Sequence, residues 1–247
     1  MGRRRIVVTD IDGTLVGDDE ALARFAAWRA SVGLEDVLVY ATGRTLESVG
    51  RLVADTAAPK PDVVISLVGT EIHDHAGRPW PGWLERFEGW DAARVRQILA
   101  EDERLQPQPQ DVQSRLKASY FAPGLTAPDL ASLSEGLLRA GLEVVVIYSG
   151  DLFVDVLPAG AGKGAAARVV AADLGVELRD VLAFGDSGTD VGLFGEGFRG
   201  TIVGNASWEL RHAVDGSVYR SSQPFADGIL DGIRYWSGVG VADRRAV

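Results

Sequence analysis

Strand-like apolar runs and helix-like spacings alternate along this chain. Residues 6–9, IVVT, form a short run of buried character that stops at Asp10. DEALARFAAWRASVG (19–33) follows, with apolar positions three and four apart, the period of a helix with one buried face. DVLVYAT (36–42), a helical pattern to about residue 56, and DVVISLVG (62–69) repeat the alternation. It resumes late, with AGKGAAARVVAADLGV (161–176) as a helix, VLAFGD (181–186) and TIVGN (201–205) as strands, and FADGILDGIRYW (225–236) as a closing helix. Strands that alternate with helices predict an α/β fold with a parallel sheet covered on both faces.

The middle breaks the rule. WDAARVRQILAEDERL (90–105) predicts a helix, RLKASYFA (115–122) a strand and residues 127–140 a second helix. LEVVVIYSGDLFVDVLP (142–158) reads as two strands joined at SGD. Pro79, Pro81 and Gly82 mark one junction and PAGAG (158–162) the other. The expectation is a core of residues 1–80 and 159–247, interrupted by an α+β unit at 81–158.

Composition narrows the function. No run of about 18 apolar residues is present, so no membrane span is expected. Cysteine is absent, which removes disulfides, thiolate nucleophiles and zinc–cysteine sites. The apolar stretch behind MGRRR breaks at Asp10 and Asp12, too early for an export signal, and a cytoplasmic location is expected. A net charge of −10 repels phosphate backbones and argues against nucleic acid as a partner. Arginine supplies nearly all the positive charge, and only Lys60, Lys117 and Lys163 are lysines. A compact ammonium chosen over a planar guanidinium invites a reason at each.

In open parallel sheets ligands bind beyond the carboxyl ends of the strands. Four such ends carry one kind of chemistry here: Asp10-Ile11-Asp12-Gly13-Thr14, Ala41-Thr42-Gly43-Arg44, the helix start at Lys163, and Gly185-Asp186-Ser187-Gly188-Thr189-Asp190. Neighbouring carboxylates cannot all ionise without a cation. An oxygen-only donor set suits Mg²⁺, and Mg²⁺ beside a lysine handles phosphate. On that reading Asp10 is the nucleophile and Asp12 the acid and base. Thr42 and nearby amides hold phosphoryl oxygens, Lys163 offsets charge, and Asp186 with Asp190 holds the metal and Lys163. A lone DxD also occurs in turns and in the metal site of glycosyltransferases, but only nine residues precede this one. The four in this order are the signal.

DIDGT, YATGR, Lys163 and GDSGTD resemble the four motifs of the haloacid dehalogenase (HAD) superfamily of aspartate-nucleophile phosphatases. The insertion lies where that superfamily carries its C2-type cap. TLVGDDEAL, SLVGTEI, LERFEGWD, LKASYF, VIYSGDLFVDVLPAGAGKG, VGNASWEL and PFADGILDG make the chain similar to sucrose-phosphate phosphatases. The resemblance implies a HAD-like Rossmannoid core with an inserted cap, and Mg²⁺ held by Asp10, Asp12 and Asp186 with Asp190 behind them. It also implies phosphate binding by Thr42, Gly43 and Lys163. The implied reaction is hydrolysis of a sugar phosphate, sucrose 6-phosphate first, by a monomer with a sucrose-phosphate synthase as candidate partner. Mannosyl- or glucosyl-glycerate-type phosphates, phosphohexomutase activity and a weakly catalytic sugar-phosphate-binding module are the alternatives. Two positions depart from the family pattern, Gly13 and Thr189, each of which is usually Asn there.

A cap that closes over the crevice would read the leaving group. Its polar candidates are Lys117, Ser119, Tyr120, Ser149 and Asp151, joined by Glu71 at the junction. Trp80, Trp83 and Trp90 are expected to pack between the two parts, because tryptophan at helix and turn boundaries is mostly packing. His73 and His75 are expected in a solvent-facing turn, with no ligand role.

Overall fold

The computed structural model describes residues 4–32 and 36–242; the outermost ends of the expected core, 1–3 and 243–247, lie outside the described residues. In chain order the elements are β1 (Arg5–Thr9), α1 (Asp19–Val32), β2 (Asp36–Ala41), α2 (Leu46–Asp55), β3 (Val63–Ser66) and β4 (Glu71–Asp74). Next come α3 (Ala92–Leu99), β5 (Gln106–Pro107), β6 (Ala118–Phe121), α4 (Ala127–Arg139), β7 (Val144–Ser149) and β8 (Phe153–Pro158). The chain closes with α5 (Lys163–Asp173), β9 (Val181–Gly185), α6 (Val191–Phe194), β10 (Arg199–Ile202), α7 (Trp208–Ala213), β11 (Tyr219–Arg220) and α8 (Phe225–Ala242).

Seven strands form one sheet in the order β11-β10-β9-β1-β2-β3-β4, parallel except for β4. Strands β2, β3 and β9 are buried along their whole length, as continuous apolar runs require when helices cover both faces. One face packs on α5 through Val8, Val39, Ile65, Ala166 and Val170. The other packs on α1 and α8 through Val7, Leu38, Phe25, Ile229 and Ile233. The acidic stretch at 18–20 starts α1, where Asp18 accepts the Ala21 amide at 2.8 Å.

The unit expected at 81–158 holds α3, α4 and an antiparallel sheet in the order β5-β6-β8-β7. Ala118, Tyr120, Val154 and Val156 on one face of that sheet pack under α3 and α4 with Val95, Leu133 and Leu137. On the other face Ile147 and Leu157 join the cluster that includes Val8 and Ile65, so this face is turned toward the large sheet.

Both chain crossings are pinned near α5. Trp80 donates its indole N–H to Asp173 at 2.7 Å, and buried Trp83 donates to the Thr70 carbonyl at 3.2 Å. On the return path a Cβ at Gly69, whose φ is +90°, would collide with the backbone of Gly162, so only glycine lets these segments meet. All three tryptophans pack on one apolar cluster, Trp83 inside it and Trp80 and Trp90 against it.

Two expectations need correction. His73 is not in a turn but in β4, an antiparallel edge strand paired with β3, and its side chain is only 12% exposed. One apolar residue in EIHD gives no alternation to read, and pairing with Val63–Ser66 makes it a strand. Helix α3 stops at Leu99 rather than 105, because Asp102 accepts the Arg104 amide at 3.1 Å and holds a turn there.

Candidate active site

The carboxyl ends of β1 and β9, together with the start of α5, build one buried centre. Asp10 is fixed at the end of β1 by its amide, which donates to the Phe184 carbonyl of β9 at 3.1 Å. Lys163, first residue of α5, donates from Nζ to Asp10 at 2.8 Å, to Asp190 at 2.7 Å and to the Thr189 hydroxyl at 3.0 Å. Asp190 is fully committed: its second oxygen accepts the amides of Asp186 and Ser187, both at 3.0 Å. One oxygen of Asp186 accepts the Thr14 hydroxyl at 2.8 Å. Gly13, at φ +85°, has no room for a Cβ, which would run into the Asp186 carboxylate.

One carboxylate oxygen from each of Asp10, Asp186 and Asp190 lies within 4.8 Å of the others. All the donors are hard oxygens, the set that suits Mg²⁺. Lys163 takes one oxygen of Asp10 and Thr14 one of Asp186, and the two carboxylates also meet each other, where a cation would sit between them. Asp190 instead orients Lys163 and the turn. Burial pushes the Asp10 carboxyl well above the ordinary range, with Lys163 opposing. Burial, reinforced by the Asp190 charge, pushes Asp186 up to about 6. Burial disfavours the Lys163 ammonium too, yet Asp10 and Asp190 outweigh it and raise its pKa.

Asp12, expected among the metal ligands, is not in this cluster. The chain turns directly after Ile11, whose carbonyl accepts the amides of Leu15 and Val16 at 2.9 Å, and the Asp12 side chain is 56% exposed. Arg44 grips its carboxylate from Nε and a terminal nitrogen at 2.7 and 2.6 Å. Thr42, at the end of β2, is buried, and its hydroxyl accepts the Arg44 amide at 3.1 Å. Gly43 follows it in the same turn, with the Val68 side chain 3.9 Å from where a Cβ would stand.

On the core-facing side of the small sheet, Lys117 pairs with Asp155 at 3.1 Å, and the Ser119 hydroxyl donates to the same carboxylate at 2.5 Å. All three are buried. Ser149, at the end of β7, lies against the turn that carries Thr189: a Cβ on Gly188 would be 2.7 Å from the Tyr148 carbonyl and 3.5 Å from Ser149. Glu71 accepts the Ser66 hydroxyl at 3.2 Å at the end of β3. The other two sugar-binding candidates sit elsewhere. Tyr120 is on the opposite face, packed under α3 and α4, because strand residues alternate sides. Asp151 is exposed at the hairpin tip, where it accepts the Tyr148 hydroxyl at 3.0 Å.

A profile of sucrose-6F-phosphate phosphohydrolases matches residues 3–237. The chain belongs to that family. The sucrose-6F-phosphate phosphohydrolases are phosphomonoester hydrolases, and this member is a sugar-phosphate phosphatase. It is 32% identical to the mannosylfructose-phosphate phosphatase of Agrobacterium fabrum over 94% of this chain and 96% of that one. It spans only 60% of an Arabidopsis thaliana probable sucrose-phosphatase that it matches at 32% identity. A sucrose-phosphatase of Synechocystis, solved with sucrose and phosphate, shares the fold with a TM-score of 0.90 and 33% identity over 96% of this chain and 99% of that one. A HAD subclass IIB sugar phosphatase superposes with a TM-score of 0.70 at 16% identity over 94% and 99%, a likeness of fold alone.

Four residues of this family member escaped the sequence reading as site residues: Arg44, Thr14, Asp155 and Asn205. The last donates to the Gly13 carbonyl at 2.7 Å and accepts the Phe225 amide at 2.8 Å, tying the turn after Asp10 to the start of α8. Arg44 and Thr14 were open to view inside their motifs. Asp155 becomes visible only once β8 is set in register with β6. No helix among the described residues is long and apolar enough to cross a membrane.

Proposed function

We propose that this chain is a Mg²⁺-dependent phosphatase that releases phosphate from a phosphorylated disaccharide, with sucrose 6-phosphate the first candidate. The observation that carries the reading is the buried centre of Asp10, Lys163, Asp186 and Asp190, with the end of β7 packed against its Gly188 turn and Lys117, Ser119 and Asp155 buried in the same small sheet. Mg²⁺ bound by Asp10 and Asp186 would supply positive charge for the phosphoryl oxygens. Asp10 attacks phosphorus and forms the aspartyl-phosphate as the bond from phosphorus to the sugar oxygen breaks. Asp12, turned from Arg44 toward the leaving oxygen, gives that oxygen its proton and later takes one from the water that opens the intermediate. The free sugar and inorganic phosphate are the products. Thr42 and Gly43 hold phosphoryl oxygens, while Lys117, Ser119, Ser149 and Glu71 are the groups offered to sugar hydroxyls.

Mannosylfructose phosphate is the second substrate candidate, favoured by the Agrobacterium relative that this chain spans almost end to end. The test is phosphate release from sucrose 6-phosphate, mannosylfructose phosphate, mannosyl- and glucosyl-glycerate phosphates and simple hexose phosphates, with Mg²⁺ or EDTA. Mg²⁺-dependent release concentrated on one disaccharide phosphate is expected. Turnover that needs a bisphosphorylated sugar would mean a mutase, and binding without release would leave a sugar-phosphate-binding module. Gel filtration with and without a sucrose-phosphate synthase checks the expected monomer and that candidate partner.

Metal binding carries its own pH signature. A carboxyl raised to about 6 in the folded protein binds more protons than it does unfolded. Its contribution to stability is therefore lost as pH rises from about 4 through 6, and a cation that replaces the proton restores it. Mg²⁺ should raise the melting temperature more at about pH 8 than at about pH 5. An equal or larger effect at the acid end would exclude Asp186 as a ligand.

A further inference from the structure

The hydrogen-bond capacity of Lys163 is exhausted. An ammonium has three N–H groups, and the acceptors are Asp10 at 2.8 Å, Asp190 at 2.7 Å and Thr189 at 3.0 Å. The side chain is 1% exposed, so solvent takes none of them. A phosphoryl group that approaches Asp10 must therefore displace one acceptor to receive a bond from this lysine. The three are not equal. Two are carboxylates that hold the charge, whereas Thr189 offers a neutral hydroxyl and the weaker bond. That hydroxyl also has somewhere to turn: the Ser187 Oγ lies 3.0 Å away.

We propose that Thr189 keeps the third N–H of Lys163 satisfied while the centre is empty of phosphate and yields it to a phosphoryl oxygen on binding. Thr189 is thus a positioning residue that competes with the substrate. Its hydroxyl sets how tightly substrate and product phosphate are held, and a weaker hold on phosphate favours release. The inference rests on the phosphatase reading above. It also gives a role to the threonine found where the resembling sequences usually carry asparagine.

The variant Thr189→Val keeps the shape and removes the acceptor. The buried N–H then has no partner in the protein until phosphate arrives. With Mg²⁺ saturating, calorimetric titration with inorganic phosphate should show binding tightened about tenfold, the scale of a hydrogen bond to a charged group. The inhibition constant of phosphate and the KM for the sugar phosphate should fall in parallel, with no rise in kcat. Thr189→Ser retains the acceptor and should behave as wild type. Thermal unfolding of both variants confirms that they fold.

Phosphate binding that is unchanged or weaker in Thr189→Val, or a Ser variant that follows the Val variant, overturns the inference. The titration needs no turnover. A protein that hydrolyses no ester, yet binds phosphate more tightly as the Val variant, would sink the phosphatase reading and leave this inference standing. Normal turnover with unaltered phosphate affinity would do the reverse.

Discussion

Replacing Asp10 with Asn should stop phosphate release while leaving the protein folded. The asparagine amide has the same shape but is no nucleophile, so kcat should fall by at least about 10⁴-fold, the scale of losing the attacking group in a covalent mechanism. Stability should hardly move. Burial already disfavours the Asp10 charge, and Lys163 keeps Asp190 and Thr189 as acceptors. In EDTA the melting temperature should stay within about 3 °C of wild type, which is roughly 1 kcal/mol for a chain of this size. The rise produced by Mg²⁺ should shrink, since one of the two carboxylates that would hold it loses its charge. The decisive measurement is single-turnover phosphate release. A variant within tenfold of wild type would remove Asp10 from the nucleophile's role, whatever its stability.

Lys163→Met should do the opposite to stability. It leaves Asp10 and Asp190 buried side by side with no cation between them. Breaking a buried pair from one side costs about 3–5 kcal/mol, which corresponds to a fall of roughly 6–20 °C in melting temperature. The deficit should be larger at about pH 8 than at about pH 5. Without the lysine the Asp10 carboxyl loses the charge that opposes its upward shift, the folded state binds more protons, and stability then falls as pH rises. Adding Asp190→Asn in the same chain removes one of the stranded charges. It should recover part of the lost stability and none of the turnover, which separates the two roles of the lysine. Calorimetry in EDTA reads the result, and a single variant as stable as wild type would mean that the pair is not what holds these two carboxylates.

The two strand ends that carry Asp10 and Asp186 were legible because each advertises a conflict. A run such as IVVT or VLAF belongs inside, and a carboxylate at its end is costly there unless something compensates. Lysine scarcity was a second honest signal: two of the three lysines, Lys117 and Lys163, are buried and ion-paired, one in each sheet unit. What stayed hidden depended on partners distant in sequence. Strand β4 exists because β3 offers it an edge. Tyr120 and Ser119 are adjacent in sequence and point to opposite faces, and only the packing of Ile147 and Leu157 decides which face meets the site. The Asp12–Arg44 pair joins two motifs 32 residues apart, each of which has a different partner to suggest when read alone.

The corner at α5, where Trp80 is held on the way out and Gly162 meets Gly69 on the way back, fixes both ends of the segment that carries the smaller sheet. On the proposed reading, polar groups on the small sheet can change without re-laying the strands that end at Asp10 and Asp186. On that reading, chemistry and choice of sugar are free to evolve at different speeds. Lys163 is the point where the two histories touch, because four residues, 159–162, separate the last strand of the smaller sheet from the lysine that the chemistry cannot spare.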